Sequence, residues 1–224
     1  MSANQVAENQ IVDPFMRKLW RQPLPANTPV DILILKSAGE SAKTPEVIEV
    51  ARKKGRLGRV IEIESLNGRD LGQILTGLIT EIQSPAFIIT EEESGWNRDI
   101  LDRLLDGINK VDIVIGSRVP AGRRMKWSQW LWATVRGVFW GAGVRDPHSP
   151  YRIFRTSIFR QFPLQSSSRF VDVEMIAKCN FLDGLIEENP FPVSDSWPGL
   201  IKLDHSRKDR KKLFKSPQFK FEEF

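Results

Sequence analysis

Three consecutive carboxylates, Glu91, Glu92 and Glu93, follow the apolar run Ala86–Thr90. Such a cluster repels itself unless a cation or a basic group compensates. In an extended chain Glu91 and Glu93 share one side, so the pair offers hard oxygen ligands to a divalent ion such as Mg or Mn. The same charges would equally suit a solvated loop leading into the helix that starts near Asn97. Polar residues close three other apolar runs, at Lys36–Glu40, Ser65–Asp70 and Ser117–Arg118. In an open α/β sheet ligands bind beyond the carboxyl ends of the strands, so these are the positions where chemistry is expected. Further along, Asp172 and Glu174 stand two apart on a predicted helix and diverge, so at most one of them faces a shared site. Either could instead form a buried ion pair with a nearby arginine. His148 and His205 are too far apart in sequence to read as a pair, and neither is given a role.

A sheet has to position these groups. From Asp31 the chain alternates short apolar runs with amphipathic ones: a strand over Asp31–Leu35, a helix over Pro45–Lys54 closed by Gly55, and a strand over Arg59–Glu64. A helix over Leu71–Ile82, a strand over Ala86–Thr90, a helix over Arg98–Ile108 and a strand over Val111–Ile115 continue the pattern. Strands alternating with helices imply parallel βαβ units, hence an α/β fold with a mostly parallel sheet flanked by helices. Beyond Gly116 the regularity weakens. Trp127, Trp130, Trp132 and Trp140 lie at helical spacing, helical pattern returns over Val171–Asn180, and a short strand follows at GLIEE. Residues 1–28, dotted with Pro14, Pro23 and Pro25, read as an N-terminal arm, residues 29–203 as the α/β domain, and residues 204–224 as a basic tail.

Composition narrows the function classes. With 224 residues, 41% of them hydrophobic, one ordinary globular domain is expected. The single cysteine, Cys179, excludes an intramolecular disulfide and a thiolate metal cage and reads as a buried structural thiol. No run reaches the roughly 20 apolar residues of a membrane span and no signal-peptide pattern opens the chain, so a cytoplasmic protein is expected. A formal charge of +5 and a pI near 9.4 favour polyanionic partners, with basic residues gathered at Arg123, Arg124 and Lys126 and again at Arg207–Lys212.

The segments VDIVIGSR, VRDPHSPYRIFR, FVDVEMIAKC and GLIEENPFPV, in that order and spacing, resemble the family 2 glycosyltransferases, in particular the dolichol-phosphate mannosyltransferase and polyprenyl-phosphate glycosyltransferase branch. The resemblance runs from about Asp31 to Lys202 and implies a glycosyltransferase A-type fold with a Rossmann-like nucleotide-binding half. It places Ser37 and Ala38 where the family has paired aspartates facing the base. It puts NGRDLGQ, with Asn67 and Arg69, at the phosphate-facing turn, and Glu91–Glu93 on the Asp-x-Asp metal motif. Pro150 stands where the family's turn before Arg152 has glycine.

The implied reaction is inverting transfer of a sugar from a nucleotide-diphosphate donor to an acceptor such as a polyprenyl phosphate. On that basis Glu91 and Glu93 are the expected metal ligands for Mg or Mn. Ser37, Asn67, Arg69, Glu91 and Arg118 are the expected donor-binding residues, and Asp146, Arg118 and Glu174 the catalytic ones. Arg123, Arg124, Lys126 and Arg152 fall on the acceptor side. The Arg123–Trp140 segment reads either as a core helix or as an interfacial one, which with the basic tail would bring the protein to the inner face of a membrane. Two rivals are a catalytically degenerate relative that binds a nucleotide sugar or a partner, and a nucleic-acid-binding protein. The chain lacks the motifs the latter would need, so no nucleic acid is expected as a partner.

Overall fold

The computed structural model describes residues 23–35, 46–63, 71–91, 98–120, 143–193 and 207–220. Strands β1 (Val30–Leu35), β2 (Leu57–Ile63), β3 (Ala86–Glu91), β4 (Ile113–Pro120), β5 (Arg152–Arg155) and β6 (Ile186–Val193) form one six-stranded sheet in the order β2-β1-β3-β5-β4-β6. All pairings are parallel except those of β5, which runs antiparallel to both β3 and β4. Helices α1 (Glu46–Lys53), α2 (Leu71–Glu81), α3 (Arg98–Ile108), α4 (Thr156–Phe159), α5 (Val171–Phe181) and α6 (Arg207–Lys215) complete the described elements.

Side-chain alternation along the strands divides the core into two layers. Ile32, Ile34, Ala86, Ile88, Val114 and Ile153 face α1 and α3, where Val47, Ile48, Leu101, Leu104 and Ile108 complete one cluster. Leu33, Phe87, Ile89, Ile113, Ile115 and Phe154 face the other way, onto Leu75 and Ile79 of α2 and Met175, Ile176 and Cys179 of α5. Phe87 stacks on Phe154 at 5.1 Å, and Phe159 closes on Phe154 edge-on at 5.1 Å. Each such ring or branched aliphatic chain contributes about 1.5–3 kcal/mol on burial. Cys179 is buried in the second layer, as its sequence suggests. The helices end where sequence signals say they should. Gly55, at φ 63, accepts the left-handed conformation beyond α1, and the bonds Gly55 N–H to Arg52 O and Arg56 N–H to Ala51 O finish the turn.

The winding order matters for function. From β1 the chain goes to β2 on one side, then crosses back to β3 on the other, so the direction of winding reverses between β1 and β3. Such a reversal opens a crevice at the carboxyl ends of the two strands. Leu35 and Glu91 are register partners at that point.

Three regions differ from their sequence reading. β4 starts at Ile113 and runs on to Pro120, because β6 pairs with it residue by residue to the end, so Arg118 is a strand residue. The segment Arg152–Arg155 is a buried strand wedged between β3 and β4. Arg207–Lys215, assigned by sequence to the tail, is a helix packed on the domain. Leu213 joins the main cluster and Asp209, 3% exposed, accepts bonds from Ser167 Oγ, Ser168 N and Ser168 Oγ.

Candidate functional site at the carboxyl edge of the sheet

β4 delivers Arg118 to the carboxyl edge, and the turn that precedes β5 brings Asp146 to meet it. The guanidinium grips the carboxylate through two bonds, Nε to Oδ2 at 2.6 Å and Nη2 to Oδ1 at 2.8 Å, and the Arg118 backbone N–H adds a third at 3.2 Å. This is the planar two-point geometry that arginine alone provides. Nη2 also donates to the carbonyl of His148 at 3.1 Å. The turn is fixed from a second side by β6, where Glu188 Oε1 accepts from the backbone N–H groups of Arg145 at 2.8 Å and Asp146 at 3.2 Å. It is fixed from a third by Ser149, whose Oγ donates to Gly116 O at 2.5 Å. Gly116 is required for this approach, since a Cβ there would stand 2.7 Å from the Phe191 ring and 2.8 Å from Tyr151 Cβ. Burial, the largest influence, pushes the Tyr151 phenol above its ordinary value; Arg118 works against this and Glu46, at the start of α1, adds to it. At neutral pH that hydroxyl is therefore a protonated donor.

Beneath the turn lies a second charged cluster. Asp172, in the first turn of α5, pairs through Oδ1 with Arg152 Nη1 at 2.5 Å and through Oδ2 with His148 Nδ1 at 3.0 Å. Burial, the largest single influence on Asp172, raises its pKa, but Arg152, the His148 hydrogen bond and Arg169 together hold the carboxyl well below the ordinary range. An ionised carboxylate only accepts, so His148 carries its proton on Nδ1.

The expected site residues divide accordingly. Arg118 and Asp146 come together. Glu91 ends β3 at the same edge of the sheet, separated from β4 by β5. Arg152, expected on the acceptor side, is 2% exposed and pairs through Nη1 with Asp172 and the Pro147 carbonyl, because a cation buried between two strands needs a fixed counter-ion. Glu174, expected among the catalytic residues, is engaged within the fold. It is fully buried, pairs with Lys178 at 2.8 Å, and accepts from Gln165 N, Ser166 N and Ser166 Oγ. It thus holds the 164–168 loop. Ser37, Asn67, Arg69, Glu93, Arg123, Arg124, Lys126 and His205 lie outside the described residues.

Sequence reasoning gave His148 no role, did not single out Glu188, and named Glu174 but not Asp172 among the catalytic residues. Glu188 opens the Glu-x-Pro piece of the last strand and so carried a signal. His148 carried none, since its partner is 24 residues away.

Among the described residues no group of three or more His, Cys, Asp or Glu side chains is placed to hold a metal, and no helix is long and apolar enough to cross a membrane. At the opposite edge a hollow of about 310 Å³ is lined by Asp31, Gly58, Arg59 and Ser84. Its carboxylate is fully engaged, with Oδ1 accepting from Arg59 N and Ser84 Oγ at 2.7 Å each and Oδ2 from Gln83 N at 3.2 Å. The carboxyl edge is the better candidate.

No protein-family model and no curated protein matches the chain. Solved structures do. Glucosyl-3-phosphoglycerate synthase from Mycobacterium tuberculosis superposes with a TM-score of 0.55 at 13% identity, over 81% of this chain and 80% of that one. The same enzyme in complex with Mn2+, uridine-diphosphate-glucose and phosphoglyceric acid gives 0.55 at 12% identity, over 78% and 77%. A further mycobacterial protein gives 0.55 at 12% identity, over 75% and 67%. At this identity the likeness establishes the fold, a glycosyltransferase A-type α/β architecture.

Proposed function

We propose that the protein transfers a sugar from a nucleotide-diphosphate donor to a phosphate-bearing acceptor at the carboxyl edge of its sheet. The observation that carries this reading is the Arg118–Asp146 pair at the end of β4, on the same edge as the winding reversal between β1 and β3 where Glu91 stands. The likeness to synthases solved with uridine-diphosphate-glucose supports it.

In this reading the donor diphosphate lies over the ends of β1 and β3, and Ser37, Asn67 and Arg69 are its proposed ligands. A Mg or Mn ion fits the acidic run, whose oxygen donors are those such ions prefer, and Glu91 and Glu93 would hold it; when bound, it would neutralise charge on the leaving diphosphate. Arg118 contributes positive charge to the same edge. Its pairing with Asp146 sets the guanidinium plane before substrate arrives, so little reorganisation accompanies the reaction. An acceptor phosphate oxygen attacks the anomeric carbon, the bond from that carbon to the diphosphate oxygen breaks, and the electron pair leaves with the diphosphate. Because a phosphate monoester is largely ionised at pH 7, no strong general base is required. Asp146 then acts as the positioning partner of Arg118, and Tyr151 offers a hydroxyl donor nearby. A polyprenyl phosphate as acceptor, and inversion at the anomeric carbon, are the finer parts of the reading and rest on the family 2 resemblance.

A second reading, a nucleotide-sugar-binding relative without turnover, is favoured by Ser37 and Ala38 standing in place of paired aspartates. Incubation of the purified chain with uridine-diphosphate-glucose, Mn2+ and phosphate acceptors, followed by product analysis, separates the two. New glycosyl phosphate supports transfer. Binding heat without product supports the binding module, and neither sinks both. The anomeric configuration of any product tests inversion.

A further inference from the structure

Helix α6 carries the sequence RKDRKKLFK, with a single carboxylate among its basic residues. Asp209 and Leu213, four apart on one face, point inward. The first is bound by Ser167 and Ser168 and the second is sunk in the core. The following segment is tied down as well, with Gln218 N donating to Gln165 Oε1 at 2.9 Å, Lys220 N to Gln161 O at 2.6 Å, and Phe219 packed against Phe162. This fixed attachment, to which Lys212 adds a bond from Nζ to Gln165 O at 2.9 Å, turns the helix's negative charge inward and leaves Lys208, Lys211 and Lys215, spaced i, i+3 and i+7, exposed together on the outer face. Beside them Phe214 is 38% exposed, and Phe181, whose ring meets Phe219 edge-on, is 58% exposed.

We propose that the lysine face of α6 is a docking surface for an anionic lipid bilayer. Flexible ammonium stems at the rim of a convex helix reach headgroup phosphates, while the neighbouring phenylalanine rings enter the boundary between headgroups and acyl chains. The exposed cations described on this face are lysines, which act as point charges without the two-point fork that favours specific nucleic-acid contacts, and bare aromatic rings add affinity for lipid. The helix is already docked, so no ordering cost is left to binding. The 164–168 loop to which α6 is attached also meets the start of α2, through Gly72 N to Ser166 O at 2.8 Å. The docking face therefore sits beside the carboxyl edge. The inference does not depend on sugar transfer.

Sedimentation of the full chain with phosphatidylcholine vesicles, with and without phosphatidylserine, tests it. Binding is expected only with phosphatidylserine and should weaken as salt rises. Lys208→Gln/Lys211→Gln/Lys215→Gln together should lower partitioning on the order of a hundredfold, the equivalent of about 1 kcal/mol for each lysine. The Arg triple at the same positions should retain binding, and both triples should melt like the parent, since none of the three lysines is part of the docked face. Phe214→Ala should cost a few-fold and leave the salt dependence intact. Equal binding to neutral vesicles, or a glutamine triple that binds like the parent, would overturn the proposal. So would tighter binding to single-stranded RNA than to the anionic vesicles at the same salt, which would reassign the face to nucleic acid.

Discussion

Asp31 and Asp172 are both buried at edges of the same sheet, and they are held in opposite ways. At the amino edge Asp31 accepts from backbone N–H groups of Arg59, Gln83 and Ser84 and from the Ser84 hydroxyl, with Arg59 Nε further off at 3.7 Å. It uses its charge to satisfy main-chain donors where β1, β2 and the turn before β3 meet. At the carboxyl edge Asp172 is bound by side chains, Arg152 and His148, and one step above it Asp146 is bound by Arg118. The first arrangement closes a structure. The second assembles charged groups whose orientation is set in advance at the edge where open sheets bind ligands, which is what chemistry on a charged substrate needs.

The difference can be broken most forcefully at Asp172. Its replacement by alanine strands Arg152 as a buried cation without its counter-ion, and loss of one member of such a pair costs about 3–5 kcal/mol. Urea unfolding should register that loss. A cost below about 1 kcal/mol would mean that the pair is not a structural element. Asp31→Asn is expected to cost less, about 1–3 kcal/mol, since one amide oxygen replaces a carboxylate and the NH2 group faces other donors. Ligand binding should not change in that variant, because nothing at the carboxyl edge touches it.

Much of this was legible in the chain. The periodicities of Asp31–Leu35, Ala86–Thr90 and Arg98–Ile108 announced β1, β3 and α3, and the two-sided apolar character of the strands announced a covered sheet. β5 was hidden because half its residues are arginines. Arg152 is neutralised by Asp172, and Arg155 donates to the carbonyls of Ile108 at 3.1 Å and Asn109 at 2.7 Å, so a polar-looking segment is buried between two strands. α6 was hidden for the converse reason: its composition describes the exposed face, while only Asp209 and Leu213 record the buried one. Arg118 and Asp146 could be nominated from motif order. Their pairing with each other, and the separation of Asp172 from Glu174, depend on how α5 is turned, which spacing does not encode.

Acid titration sharpens the comparison further. The carboxyls of Asp31 and Asp172 are both depressed in the fold, against the upward push of burial, by backbone and Ser84 hydrogen bonds in the first case and by Arg152, His148 and Arg169 in the second. The folded chain then binds fewer protons than the unfolded one. Each group's stabilisation is complete above the unfolded pKa of about 3.9 and is lost as pH falls through the folded value. Stability of the parent should fall steeply below about pH 4. Asp172→Asn should flatten that slope, and Asp31→Asn should flatten it less. An unchanged slope in Asp172→Asn would contradict the ion-pair assignment.

The smallest expected structural effect, and the most informative functional one, belongs to Arg118→Lys. It keeps the charge, loses the two-point grip on Asp146, and should cost little more than 1 kcal/mol in stability. Isothermal titration of uridine-diphosphate-glucose with Mn2+ into the parent, Arg118→Lys and Asp31→Asn tests the central claim most directly. The account predicts metal-dependent binding in the parent, at least tenfold weaker binding in Arg118→Lys, and parent-like binding in Asp31→Asn. Binding that is insensitive to Arg118 yet lost in Asp31→Asn would place the ligand at the amino edge and contradict the account.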